Sequence, residues 1–164
     1  MSAELSIHAG YRPGCIGRIA ELHGEYYARH AGFGVFFEGK VARELGEFCE
    51  RLDTGRDGLW LAMRDGRIEG GIAIDGAKAD DGGAHLRWFI ASDAIRGTGG
   101  GGRLLATALD FCRACGHREV HLWTFEGLAA ARHLYERHGF RLVHQQPGNQ
   151  WGREVNEQRF ELRL

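Results

Sequence analysis

The sequence has little proline, no long apolar run and no surplus of either charge. Two prolines in 164 residues, with no short repeat period, exclude a collagen-like or proline-rich low-complexity chain. No apolar stretch approaches the ~18 residues that a membrane helix needs. The opening MSAELSIHAG has no basic segment followed by an apolar one, so no secretory signal is read there. Lys and Arg total 21 against 22 Asp and Glu, for a net charge of -1. A dedicated nucleic-acid binder would carry a basic excess. A disordered chain would pair high net charge with few apolar residues, and here the apolar share is 43%. Cysteine is scarce too: Cys15, Cys49, Cys112 and Cys115. Cys112 and Cys115 form a CxxC, but no second pair or His-x-x-x-His completes a zinc site. The cysteines therefore read as reduced core residues of a cytoplasmic protein. The histidines show no metal-ligand spacing, so no metal is expected.

What is present reads as one globular domain spanning 1–164. A chain of 164 residues is long enough to bury a sizeable core without metals or disulfides. Residues 4–9 predict a short strand. Ile16, Ile19, Ala20, His23 and Tyr27 then form a helical stripe, with Pro13 suited to its first turn. After a glycine break at 32–34, Phe37, Val41, Leu45, Phe48 and Leu52 mark a second helix. Residues 59–63 and a segment with Ile68, Ile72 and Ile74 form a hairpin around Asp65-Gly66. The segment 85–91 predicts a strand with Leu86, Trp88 and Ile90 on one face and His85, Arg87 and Phe89 on the other. Leu104, Ala108, Phe111 and Cys115 continue at helical spacing, closed by Gly116. A strand at 119–124, a helix at 128–138 and strands at 141–145 and 158–164 complete the chain. The order β-α-α-β-β-β-α-β-α-β-β predicts an α/β fold with a mixed sheet.

Glycine is the outlier. There are 26 glycines, where a usual share of about 7% would give roughly half as many. Five fall in IASDAIRGTGGGGRLLATAL (90–109), a buried strand running through a glycine turn into an amphipathic helix. Glycines permit positive φ and let a ligand approach bare backbone. Successive amides at a helix start make an anion site, and a diphosphate suits it. A merely flexible loop is the plainer alternative. A Walker A loop is excluded, because Arg103-Leu104 stand where Lys-[Ser/Thr] would be needed. A dinucleotide fingerprint should open the first β-α unit, and these glycines come late.

Arg96, Gly99 and Gly101 instead resemble the R/Q-x-x-G-x-G/A signature of the GNAT superfamily of acetyl-CoA-dependent N-acyltransferases. Downstream, Ala131, Leu134, Tyr135, Gly139 and Phe140 resemble that family's A-x-x-L-Y-x-x-x-G-F block, in the right order and with a strand between. The close resemblance covers about residues 85–143. It departs at Ser92-Asp93-Ala94, where an acidic residue and proline are common, at Gly100, usually aliphatic, and at Leu128, often asparagine. It implies a single-domain fold with a mixed, mostly antiparallel sheet of about seven strands and about four helices. It implies acetyl-CoA as cosubstrate, with the backbone of Phe89, Ile90 and Ala91 pairing with the pantetheine arm. Arg96, Gly97, Thr98, Gly99, Gly100, Gly101 and Gly102 would hold the pyrophosphate.

The implied reaction is acetyl transfer to a primary amine by direct attack. An alkylamine is neutral in only roughly one molecule in 2,500 at pH 7, so a base is useful. The departing thiolate wants a proton. Tyr135 is the expected acid, with a core aromatic as the alternative. His85, eleven residues before Arg96, is the expected base, with a surface histidine as the alternative. His23 and Glu25 are weaker candidates, and His23 reads better as a core residue. Tyr26, Tyr27, Phe33, Phe36, Phe37 and Trp151 form an aromatic acceptor lining if they face inward, and a core if not. The acceptor is expected to be a small molecule or a peptide amine, with neither nucleic acid nor membrane as partner; a homodimer stays open. The competing function is a non-catalytic acyl-CoA-binding sensor or regulatory module.

Overall fold

The first helical stripe is realised in α1 (Cys15–Ala31), where Ile19, Ala20 and His23 are buried. Pro13 lies in the turn just before this helix rather than within it. Gly32, at φ 68, ends it by sending its amide back to Ala28, a left-handed cap that favours glycine. α2 (Val35–Glu50) buries Phe37, Val41, Leu45 and Phe48. The structure, a computed structural model, describes residues 4–164.

The strands are β1 (Ser6–Ala9), β2 (Gly58–Arg64), β3 (Arg67–Asp75), β4 (Ala84–Ala91), β5 (Glu119–Phe125), β6 (Arg141–Gly148) and β7 (Val155–Arg163). They form one seven-stranded sheet in the order β1-β2-β3-β4-β5-β7-β6. Every neighbouring pair is antiparallel except β4 and β5. Asp65 and Gly66 take φ 52 and 73, the positive pair that a two-residue hairpin turn requires. α1 and α2 cover one face, packing Cys15, Ile19, Leu45 and Phe48 on Leu59, Leu61 and Ala73. α3 (Gly100–Cys115) and α4 (Ala129–Arg137) cover the other, where Leu104, Leu105, Ala108 and Tyr135 meet Ile72, Ile74, Leu86 and Val120. The mixed α/β fold is as the sequence predicts.

One expectation is overturned. The alternation in β4 breaks at Trp88, which sits at φ 49 where the β3–β4 register shifts between Gly71 and Ala73. A bulge adds one residue to one strand and reverses the in-out order beyond it. Leu86 and Phe89 therefore pack on the α3 side. Trp88 instead lies against Phe48 of α2, and Arg87 reaches Glu44 of α2. The predicted grouping of Leu86 with Trp88 does not hold.

Just before the bulge the sheet opens. β4 and β5 pair only at Ala84–Val120 and His85–His121, so from Leu86 onward β4 has no strand beside it on that edge. The turn after β4 is clamped from below by Glu69 of β3. Its backbone carbonyl accepts from the Ser92 amide at 2.7 Å, and its buried carboxylate accepts from the Ser92 hydroxyl and from Arg18.

Two predictions concern stability. Glu69→Gln keeps the shape but removes the charge that Arg18 and Ser92 share, and hydrogen bonds to charged groups contribute about 1.5–3 kcal/mol. A loss of that size is expected in urea unfolding, and an unchanged midpoint would remove Glu69 as the clamp. His23 is buried with its pKa pushed down to about 4 by desolvation, against about 6.5 in the unfolded chain. Between those values the unfolded state binds the extra proton, so stability falls as pH drops from about 6.5 to about 4 and levels off below. The contribution is about 3 kcal/mol. Urea midpoints at both ends of this window should diverge less in His23→Leu than in the wild type.

Candidate active site

The glycine turn enters α3 through two left-handed residues, Gly97 at φ 81 and Gly99 at φ 83. A β-carbon is costly in that conformation. Among the described residues, the amides of Gly97, Gly99, Gly100, Gly101 and Gly102 donate to no backbone carbonyl. These amides stand at the positive end of the α3 dipole. Gly100 is closely packed: a β-carbon there would meet Leu5 Cδ2 at 2.9 Å and Ile95 Cδ1 at 3.1 Å. An aliphatic residue in its place would have to displace both.

These five glycines, with Phe89, Ile90, Ala91 and Arg96, line a cavity of about 390 Å³ between the open edge of β4 and α4. Two of the expected cradle residues serve differently. Thr98 lies outside the cavity lining, because its amide and its hydroxyl both donate to the Ile95 carbonyl. Arg96 stands at the rim with its amide on Ser92 O. Its guanidinium is tied to Ala91 O and to Asp93, each at 2.8 Å, and lies over the Tyr26 ring.

A second cavity of about 150 Å³ lies toward α1 and α2. Four residues border both cavities: Tyr27, Phe89, Thr124 and Tyr135. Tyr135 comes from α4, is 7% exposed, and is wedged among Phe89, Phe140 and Phe160. Its hydroxyl has no hydrogen-bond partner among the described residues. Burial pushes its pKa above the ordinary phenol value, so it stays protonated at neutral pH.

His85 lines the second cavity, its ring stacked on His121 at 4.5 Å. Burial first, then the Arg87 cation, pushes its pKa down to about 3. It is a neutral imidazole at pH 7, and an environment so hostile to its protonated form argues against the general-base role expected of it. His23 lines the same cavity. Its Nδ1 donates to Ile19 O at 2.8 Å, because a carbonyl can only accept. It is the satisfied core histidine anticipated. Glu25 is exposed.

The aromatic residues divide. Phe37, Tyr27 and Trp151 line the second cavity, and Tyr26 borders the first. Phe33 is core, against Phe37, Phe125 and Trp151, and Phe36 is exposed. Trp151 is placed by its neighbour Gln150, whose amide and side chain donate to the buried Glu157 at 3.0 and 2.9 Å. The sequence reasoning missed Lys40, Glu44, Arg87, Trp123 and Thr124. Glu44 holds Lys40 at 2.8 Å and Arg87 at 2.7 Å. A polar stripe at 40 and 44 on α2 was the available signal. Arg87 stands on the face of His85, opposite Leu86, as the alternation predicts.

Among the described residues no helix is long and apolar enough to cross a membrane. The Salmonella typhimurium protein yncA, solved with its cofactor acetyl-CoA, has the same fold at a TM-score of 0.78, with 20% identity over 99% of this chain and 95% of that one. An acetyltransferase from Streptococcus agalactiae aligns at 0.74, with 18% identity over 98% of both chains. Ribosomal-protein-alanine N-acetyltransferase from Brucella melitensis also aligns at 0.74, with 15% identity over 97% of this chain and 99% of that one. No curated sequence matches significantly. The family model described as Acetyltransferase (GNAT) family matches residues 16–140, a stretch that holds the glycine turn, the opened β4 edge and Tyr135. The chain belongs to the GNAT acetyltransferase family.

Proposed function

We propose that the protein transfers an acetyl group from acetyl-CoA to a primary amine. The observation that carries this reading is the meeting of a glycine-lined cavity and an aromatic-lined cavity at one buried tyrosine, Tyr135. Bound acetyl-CoA supplies an activated thioester. The free amides of Gly97 and of Gly99 through Gly102, with the α3 dipole, suit its diphosphate. The unpaired edge at Phe89, Ile90 and Ala91 suits its pantetheine amides, as a strand edge suits an added strand. Arg96 and Thr98 act from behind, shaping the loop through Ala91 and Ile95. The four cysteines are free thiols, which supports a reducing, cytoplasmic setting.

In the transfer, a C–N bond forms, the C–S bond breaks, one proton leaves the nitrogen and one reaches the sulfur. Tyr135 keeps its proton until that sulfur departs, and its hydroxyl has no competing partner. His85 presents a neutral ring to the acceptor side, suited to accept a hydrogen bond and orient the amine.

Two outcomes are expected. Acetyl-CoA should raise the melting temperature, because it binds the folded state. Gly99→Val should lose that shift while staying folded, since the β-branched residue strains φ 83 by roughly 1–2 kcal/mol. An unchanged shift in the variant would take the loop out of the site. Tyr135→Phe deletes only the hydroxyl, so acetyl-CoA binding and melting temperature should persist while turnover drops by about 10²-fold. Equal turnover would reject Tyr135 as the proton source. Binding with no turnover on any amine would favour the sensor reading.

A further inference from the structure

We propose that the acceptor is a primary arylamine, an amine carried directly on an aromatic ring and uncharged at neutral pH, and not an alkylammonium. The inference rests on the acetyl-transfer reading and assigns the substrate class of its second cavity.

The walls come first. Tyr27, Phe37, Trp88, Trp123, Phe125 and Trp151 present rings to a space of about 150 Å³. A planar ring gains both burial and aromatic contacts there. Aromatic walls also attract cations, but holding an amine as its ammonium ion keeps it in the unreactive form.

The charges come next. The acidic side chain at this cavity, Glu44, is shared between Lys40 and Arg87. Asp75, behind Arg87, is held by Arg51 at 2.7 Å and by Arg87 at 3.7 Å. An arriving ammonium ion finds two cations and one neutralised carboxylate, so the charged form of an alkylamine is repelled.

Proton removal is the third consideration. His23 gives its Nδ1 proton to Ile19 O and is walled by Tyr27 and Phe37. His85 faces the His121 ring and the cations of Arg87 and Arg159, with the Asp75 carboxylate as a smaller opposing influence. Both imidazoles stay neutral because the surroundings oppose their charged forms, so neither draws a proton from an alkylammonium efficiently. Such an amine is neutral in roughly one molecule in 2,500 at pH 7 and needs that help. An arylamine shares its lone pair with the ring and arrives neutral. Its nitrogen attacks the thioester carbon and becomes strongly acidic on doing so. That proton then passes to water while the departing sulfur takes one from Tyr135, which regains a proton from water.

The test uses two isomeric acceptors, 4-methylaniline and benzylamine, which differ mainly in where the nitrogen sits. CoA release is followed with each from about pH 6 to about pH 8, alongside the acetyl-CoA thermal shift. The arylamine should give a kcat/KM nearly independent of pH and at least about tenfold above that of benzylamine at pH 7. Benzylamine turnover should climb about tenfold per pH unit. Trp123→Leu should raise the arylamine KM by about tenfold and leave the acetyl-CoA shift in place. Benzylamine equal or superior at pH 7, or turnover of aliphatic amines alone, overturns the arylamine assignment and leaves acetyl transfer standing. Loss of the thermal shift, or binding without turnover on any amine, overturns the underlying reading and this inference with it.

Discussion

Two parallel strands that pair at only two positions leave most of a strand edge unsatisfied, and the site is built on that deficit. β4 and β5 run together at Ala84 and His85 and then part. An open edge is ordinarily a liability, a template for unwanted pairing. Here α4 and the glycine turn stand over it, enclosing a cavity along the edge. The bulge at Trp88 sustains the opening. It carries one non-glycine residue at φ 49, a conformation uncommon outside functional or tightly packed sites, and Trp88 is held there by Phe48 and by the Arg87 cation at 4.2 Å.

The electrostatic design follows from burial more than from pairing. Tyr135, His85 and His23 are all held in their neutral forms by desolvation, which acts in opposite directions on a phenol and an imidazole. The charged residues of the second cavity are neutralised in a chain instead: Lys40 to Glu44, Glu44 to Arg87, Arg87 to Asp75, Asp75 to Arg51. Such an arrangement favours chemistry that moves little net charge. It explains why a catalytic histidine looks apt in sequence and poor in place: the residue type suits neutral pH, but the strand junction that positions it also dries it.

Much of this is legible in the sequence alone. The helical stripes, the Asp65-Gly66 turn and the strand-glycine-helix passage depend on local chemistry, and local chemistry is written in adjacent residues. Tyr135 was legible because its motif fixes it on a helix, where it borders both cavities. The fate of Trp88 and Phe89 was not, because a bulge is decided by the partner strand, here at Gly71 and Ala73. Nor was the sorting of Phe33, Phe36 and Tyr26. All three lie within eleven residues of one another, and only the packing of α1 on α2 sends one to the core, one to solvent and one to the glycine-lined cavity. Thr98 illustrates a finer limit. It sits amid glycines that all face the cavity except itself, because Ile95 O lies within reach of both its donors.

The family resemblance is weakest at Ser92, where the chain lacks the acidic residue and proline common before the turn, yet the turn is the best-anchored part of the site. Ser92 replaces a rigid backbone with hydrogen bonds: its hydroxyl reaches the Glu69 carboxylate, its amide the Glu69 carbonyl, and it receives the Ala94 amide. Glu69 can remain buried because Arg18 of α1 is 3.1 Å away and Arg67 3.5 Å. The same helix carries Tyr26, under the Arg96 guanidinium, and Tyr27, on the wall common to both cavities. A turn held by proline would be set by its own strand. A turn held through Glu69 and Arg18 is set by α1, so the helix that walls the second cavity also sets where the glycine amides stand, and a displacement of α1 moves both cavities together.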